Sequence, residues 1–482
     1  MNLKMVFKFL GTVLFIEALL LIAPLIVALI YGEPTEPFLY TMGALVIAFI
    51  PTLFIKPRKT RIYAKEGFVC TALSWILLSL FGAIPFVISG AIPNYIDAVF
   101  ETVSGFTTTG ASIIPAGGIE GIEYGILFWR SFTHWIGGMG ILVFMLALIP
   151  KSEGNVFLMR AEVPGPQKGK LVPKLRDSSI ILYQIYFGLT VLQVLALLCT
   201  GMPIYDCIVN AFGTMGTGGF SVLNDSIAGY ASPAAEWIMA IFLLLAGINY
   251  NIFFFVILSK FREIGKNEEF KAYLIITFVT TGIITANLLT SFSAVYDSFG
   301  GALRDAFFQV TSIMSTAGFS TASFDLWPNL SQILIIALMF LGACAGSTAG
   351  GFKISRFIII LKSVKRDIRK FFKPNSVKTL SLDGDPLSED TVKSAVSYLS
   401  VYVVFLFAAI LLISFDGKDV LTTTTTVISC FNNIGPAFGE AFATYAGYSY
   451  FSKIILSFVM LFGRLEIMPM LILLSPSTWK KN

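Results

Sequence analysis

Ten long apolar runs recur along the chain, at about residues 9–31, 38–55, 67–90, 125–149, 179–200, 235–258, 270–291, 331–361, 393–414 and 451–475. About 20 apolar residues in helical form cross the roughly 30 Å hydrocarbon core of a bilayer, so each run predicts a spanning helix. The first two turn at Gly32-Glu-Pro-Thr-Glu-Pro37 and end at Lys56-Pro-Arg-Lys-Thr-Arg61, which makes them a hairpin. The other eight fall into four pairs. Between the members of each pair stands a shorter apolar segment, with an Asp before it and a Gly after it.

Those shorter segments are copies of one another. The stretches Phe106-Thr-Thr-Thr-Gly-Ala-Ser112, Gly216-Thr-Gly-Gly-Phe-Ser221, Ser315-Thr-Ala-Gly-Phe-Ser320 and Asn432-Asn-Ile-Gly-Pro-Ala437 align on Gly110, Gly219, Gly318 and Gly435, spaced 109, 99 and 117 residues apart. Asp97, Asp206 and Asp305 stand 13 residues before their glycines and Asp419 stands 16 before its own. A spacing of this length is that of a supersecondary unit, so the chain carries a four-fold internal repeat. Each unit reads as an Asp at a helix start, a short helix, and a glycine loop at the helix C-terminus. Helix C-termini carry partial negative charge and unpaired carbonyls. Four of them converging on one axis would form a cation site in which loop carbonyls replace the ion's water.

The expected fold is an all-α polytopic membrane protein. An N-terminal transmembrane hairpin (1–65) precedes four pseudo-symmetric helix–pore loop–helix repeats around one central pore, at 66–177, 178–268, 269–391 and 392–482. The expected selectivity filter comprises Thr108, Thr109 and Gly110; Thr217, Gly218 and Gly219; Thr316, Ala317 and Gly318; and Asn433, Ile434 and Gly435. Glycine is required there because aiming consecutive carbonyls at one axis uses backbone angles that a Cβ disfavours. The side chains of the residues preceding each glycine are expected to face away from the axis. The fourth loop departs from the other three, so the ring should be only pseudo-symmetric.

Composition agrees with the pattern. The chain is 56% hydrophobic and 13% charged, with mean hydropathy +0.80, which a soluble core cannot accommodate. The first run exceeds the hydrophobic region of a signal peptide and shows no small-residue cleavage site, so it reads as a retained anchor. Of the 34 Lys and Arg, 29 fall in the termini and in 56–65, 151–176, 260–271 and 353–393; none falls between Asp177 and Ser259. This alternation puts both termini and the loops between units in the cytoplasm, with all four pore loops entering from outside. The five remaining basic residues are Arg130, Arg304, Lys418, Lys453 and Arg464.

Several single residues carry a choice of reading. The four Asp are first of all helix N-caps and dipole partners, with ion ligation as the alternative. His134, the sole histidine, reads as packed and hydrogen-bonded rather than as a proton carrier. Glu17 is an acid inside the first apolar run, outside the repeats, and is expected at a helix or dimer contact. Cys70, Cys199, Cys207, Cys344 and Cys430 are odd in number and scattered, which suits core residues better than disulfides or a metal site. Gly346, Ser347, Thr348, Ala349, Gly350 and Gly351 interrupt the third unit's closing run, where a spanning helix should be continuous. Irregular backbone at that depth survives only against protein or a water-filled cavity, so the stretch is expected to project beneath the filter as a gate. Arg464 lies midway along the last run, where an isolated arginine costs about 2.5–3.5 kcal/mol, and so needs a partner. The carbonyls of 346–351 suit its five donors, whereas Glu466, two residues on, faces elsewhere on the helix. No phosphate-binding glycine motif is present. Nor is there a clustered nucleophile, acid–base pair or metal-ligand set, so the chain does not read as an enzyme.

The four loops, the segment Arg130-Ser-Phe-Thr-His-Trp-Ile-Gly-Gly-Met-Gly140, the break Gly346-Ser-Thr-Ala-Gly-Gly-Phe-Lys353 and Phe462-Gly-Arg-Leu-Glu466 resemble the bacterial TrkH/TrkG potassium-uptake subunits of the Trk/Ktr/HKT superfamily. The resemblance covers essentially the whole chain, and the extra hairpin distinguishes it from the shorter KtrB relatives. It implies potassium as the transported ion and as the metal at the filter, with no organic cofactor on this chain. It also implies a homodimer in the bacterial inner membrane, contacts with membrane lipid, no nucleic acid, and control by TrkA, a cytosolic ring binding NAD or ATP/ADP. The family also places a gating arginine at the position of Arg464. The alternative is a symporter coupling the cation to protons or sodium by alternating access. That mechanism calls for titratable groups along the path and inverted repeats, whereas the charge alternation gives all four units one orientation.

Overall fold

The computed structural model describes residues 1–56, 63–140, 175–374 and 379–480. Helices dominate it, joined by one two-stranded hairpin of Ser381–Leu382 and Asp385–Pro386. Among the described residues, six helical segments are long and apolar enough to cross a membrane: Leu3–Tyr31, Glu36–Leu53, Ala64–Ile88, Ser179–Leu198, Glu268–Ser291 and Glu389–Asp416. Their outward faces carry large exposed hydrophobics such as Ile30, Ile47, Leu192, Ile283 and Phe407, as surfaces solvated by lipid tails do.

The other expected spans are interrupted. Pro233–Ala246 and Tyr250–Ile257 form a pair bent by 95°. Asn329–Phe340 stops and the helix resumes only at Ile354–Phe372. Tyr450–Arg464 gives way to Met468–Leu474 through positive φ at Glu466 and Ile467. Tyr124–Gly138 ends with Gly140 at positive φ, and the rest of the run expected at 125–149 lies outside the described residues. These are the second long helices of the four units. Gly138, Gly247, Gly346 and Gly463 each stand 28 residues beyond their unit's loop glycine, so the repeat also fixes where these helices break.

Four short helices complete the units: Tyr95–Phe106, Ile204–Met215, Phe299–Met314 and Val420–Asn432. The Asp residues cap only one of them. Asp419 accepts from Thr422 N at 2.9 Å, but the other N-caps are Asn94, Pro203 and Ser298. Asp97 instead pairs with Lys453 at 2.9 Å. Asp206 accepts from the Tyr230 hydroxyl and Asp305 from the Tyr296 hydroxyl, each at 3.0 Å. Three of the four acids thus tie the short helices to other segments, a role that spacing along the chain does not reveal.

Buried Glu17 lies against Gly82, where an added Cβ would stand 3.2 Å from its Oε1. It is a helix contact within the chain. The five cysteines are free, and all but Cys199 are buried.

Candidate functional site: a carbonyl ring with a loop beneath it

The four short helices end identically. The backbone N–H groups of Thr109, Gly218, Ala317 and Ile434 donate back to the carbonyls of Ser104, Gly213, Ser312 and Ser429 at 2.8, 2.7, 2.9 and 2.9 Å. The residue before each of these is left-handed although it has a side chain: Thr108 at φ 54, Thr217 at 57, Thr316 at 58 and Asn433 at 56. Positive φ is unusual for any side-chain-bearing residue and a genuine outlier for β-branched threonine, costing about 1–3 kcal/mol. The residue after each is a glycine at positive φ: Gly110 at 79, Gly219 at 81, Gly318 at 80 and Gly435 at 100. Alternating the sign of φ turns successive carbonyls to the same side of the chain, the arrangement that lets backbone oxygens replace a hydration shell.

The glycines interlock with the neighbouring unit. A Cβ on Gly110 would lie 2.0 Å from the carbonyl oxygen of Gly218, one on Gly219 2.0 Å from that of Ala317, and one on Gly318 2.0 Å from that of Ile434. A Cβ on Gly435 would lie 2.5 Å from the carbonyl oxygen of Thr109, which closes the circle. The four units therefore follow one another around a ring, and each glycine leaves room for the carbonyl preceding the next unit's glycine. All four glycines line a cavity of ≈ 410 Å³, together with Arg130, Ser221, Asp225, Ser320 and Tyr445.

Polar groups hold the ring from outside. Glu101 accepts from Arg130 Nε at 2.6 Å, from the Ser112 hydroxyl at 3.0 Å and from Ile113 N at 2.7 Å. Arg130 also donates to Ser221 O at 3.2 Å and lies 3.4 Å over the Phe220 ring, so one buried pair joins the first and second loops. His134 stacks on the same Phe220 at 4.1 Å, beneath Gly218, whose Cβ would fall 2.2 Å from the imidazole. Tyr445 donates its N–H to the carbonyl oxygen of Ser112 in the first loop at 2.8 Å and its hydroxyl to Gly435 O at 2.5 Å. The hydroxyl of Thr109 bonds sideways to Thr107 Oγ1 and Asn433 Nδ2, as expected of side chains turned from the axis.

Residues 341–353 pass beneath this ring as non-helical, largely buried backbone. Their bonds reach the second, third and fourth units. Tyr250 N donates to Gly346 O and Cys344 N to Gly247 O, at 3.0 and 3.1 Å. Glu269 accepts from Ala345 N at 2.8 Å and Ser355 N at 2.9 Å, fastening both ends of the break. Lys353 donates to the carbonyls of Ala349 and Gly350. Gly350 N donates to Thr316 Oγ1 at 2.7 Å. Arg464 donates to Thr348 O at 2.7 Å, Gly137 O at 2.6 Å and Gly138 O at 2.7 Å, while Glu466 pairs with Arg356. Arginine thus neutralises carbonyls exposed where two helices break, and 346–351 and Arg464 meet as the sequence anticipates. Glu269, Lys353 and Gly137 were not singled out by sequence; the glycines 28 residues beyond each loop are the signal that would have pointed to this layer.

A bilayer-sized bundle of helices enclosing a four-part carbonyl ring defines an all-α, polytopic cation transport protein. Within that class the chain belongs to the TrkH family, whose model, described as a cation transport protein, matches residues 38–481. It is 34% identical to the Trk system potassium uptake protein TrkH of Salmonella typhimurium over 491 residues, covering 100% of both chains. It is 30% identical to TrkG of Escherichia coli, covering 98% of this chain and 97% of that protein. The crystal structure of the potassium transporter TrkH from Vibrio parahaemolyticus superposes with a TM-score of 0.89 at 30% identity, covering 100% of each chain.

Proposed function

We propose that this protein takes up potassium through the ring formed by residues 108–110, 217–219, 316–318 and 433–435, acting as a selectivity filter. Residues 346–351 and Arg464 form the gate beneath it. The observation that carries the reading is the closed circle of glycine-to-carbonyl contacts, with the same backbone angles in all four units. Strained backbone repeated at four equivalent positions persists when function requires the geometry, and the named relatives are potassium uptake proteins. The charge alternation supports a multi-pass protein of the bacterial inner membrane with cytoplasmic termini. Control then falls to a partner, because the chain has no nucleotide-binding motif of its own; we assign that role to a cytosolic nucleotide-binding ring of the TrkA type acting on a homodimer.

Purified protein in liposomes under a potassium gradient tests this. Single-channel currents above about 10⁶ ions per second, far beyond typical turnover numbers, with potassium favoured over sodium, are expected. Slow flux that tracks a proton or sodium gradient would overturn the channel-like reading.

A further inference from the structure

The residue two before each ring glycine has one backbone conformation in all four units, but the side chains there differ in what they reach. Thr217 Oγ1 turns back to Gly216 O at 2.6 Å. Thr108 Oγ1 has no hydrogen-bond partner among the described residues. Thr316 Oγ1 accepts instead from Gly350 N–H at 2.7 Å, in the middle of the loop below. Asn433 Nδ2 reaches two ways, donating to Thr109 Oγ1 in the neighbouring unit's ring and to Met460 O, each at 3.0 Å. Met460 lies one turn before Arg464 on the same helix. Gly350 is also seated on the fourth unit, since a Cβ there would stand 2.7 Å from Asn432 O and 2.8 Å from Asn433 Cβ. The third and fourth parts of the ring are therefore bonded to the loop and to the Arg464 helix. The first two threonines are not.

We infer that Thr316 and Asn433 are positioning residues that couple the ring to the loop, so that withdrawing the loop also loosens the ring. The inference rests on the filter-and-gate reading and adds a coupling that reading does not require. Thr316 holds a costly left-handed conformation only while its surroundings over-determine it, and the Gly350 N–H is one of those restraints. Its neighbour Ala317 presents the carbonyl that fits against Gly219, so relaxation at Thr316 is felt in the second unit. Coupling between two sites is reciprocal: a cation that favours the tight ring also favours the loop in place. The asparagine that breaks the Thr pattern of the other three units has a reason here. It is among the residues that tolerate positive φ, and its amide is long enough to bridge ring and helix where a threonine is not.

The test uses full-length protein in liposomes, with Thr316→Val removing the acceptor at constant shape and Thr316→Ala as a second variant should the valine fail to fold. Potassium flux without the partner is expected to rise about fivefold, the factor carried by one net hydrogen bond, and the potassium-to-sodium permeability ratio to fall with it. Thr316→Ser, which keeps the oxygen, recovers most of both. In a background lacking Ser347–Gly350, Thr316→Val adds no further flux. If that deletion alone leaves flux unchanged, the gate reading fails. If the deletion raises flux while the Thr316 variants leave flux and ratio at wild-type values, or raise flux equally in both backgrounds, the coupling alone is overturned.

Discussion

Arg464 and Thr348, 116 residues apart, are joined by a 2.7 Å hydrogen bond from guanidinium to carbonyl. The same side chain reaches Gly137 and Gly138, so one residue of the last unit secures the broken backbone of the first and third. Arg464→Ala removes these bonds and leaves carbonyls unpaired at membrane depth. Potassium flux from liposomes without a regulatory partner should rise, as it should on deletion within Ser347–Gly350. Folded mutants that leak no faster than wild type would show that neither element gates.

Gly110 combines φ +79 with a Cβ position 2.0 Å from the carbonyl oxygen of Gly218. Gly110→Ser therefore strains its own backbone and displaces the neighbouring carbonyl, while the rest of the bundle is untouched. We expect a well-expressed protein with a reduced potassium-over-sodium permeability ratio, measured from reversal potentials. An unchanged ratio would remove Gly110 from the selectivity filter.

The Glu101–Arg130 pair is buried, with side-chain exposures of 0% and 2%. Removing one partner of such a pair strands the other charge and costs about 3–5 kcal/mol. Glu101→Leu or Arg130→Met should each lower the thermal unfolding temperature in detergent, and the double variant should lose less than the sum of the two. Strict additivity would mean that the residues act independently.

Basic surface on Ile354–Phe372 is where the proposed regulatory ring would dock. Arg366 is engaged with Glu389 and Asp367, so Lys365, Arg369 and Lys370 carry the burden of an intermolecular contact. Replacing Lys365, Arg366, Arg369 and Lys370 with Gln should weaken co-purification with the ring, most at low salt and less as salt rises and screens the contact in the unmutated protein as well. Omitting Arg366 from the set should change little. Loop 260–271 offers further basic residues, whereas 151–174 lies outside the described residues. Undiminished association of the quadruple variant would move the docking site elsewhere.

Hydrophobic periodicity and the spacing of Gly110, Gly219, Gly318 and Gly435 were enough to read an all-helical membrane protein with four equivalent loops, because both follow from local chemistry. Apolar length is dictated by the bilayer, and positive φ beside a close-packed carbonyl admits little but glycine. The isolated arginine at position 464 announced a partner for the same reason: its desolvation cost is a property of the residue and its depth. Where bonds run between units, tertiary structure decided. Asp97 meets Lys453 and not its own helix end, the five basic residues outside the basic clusters each find partners on other segments, and Asn433 bridges two parts of the ring. Long side chains at a helix surface have several reachable neighbours, and only the packing of the four units around one axis selects among them.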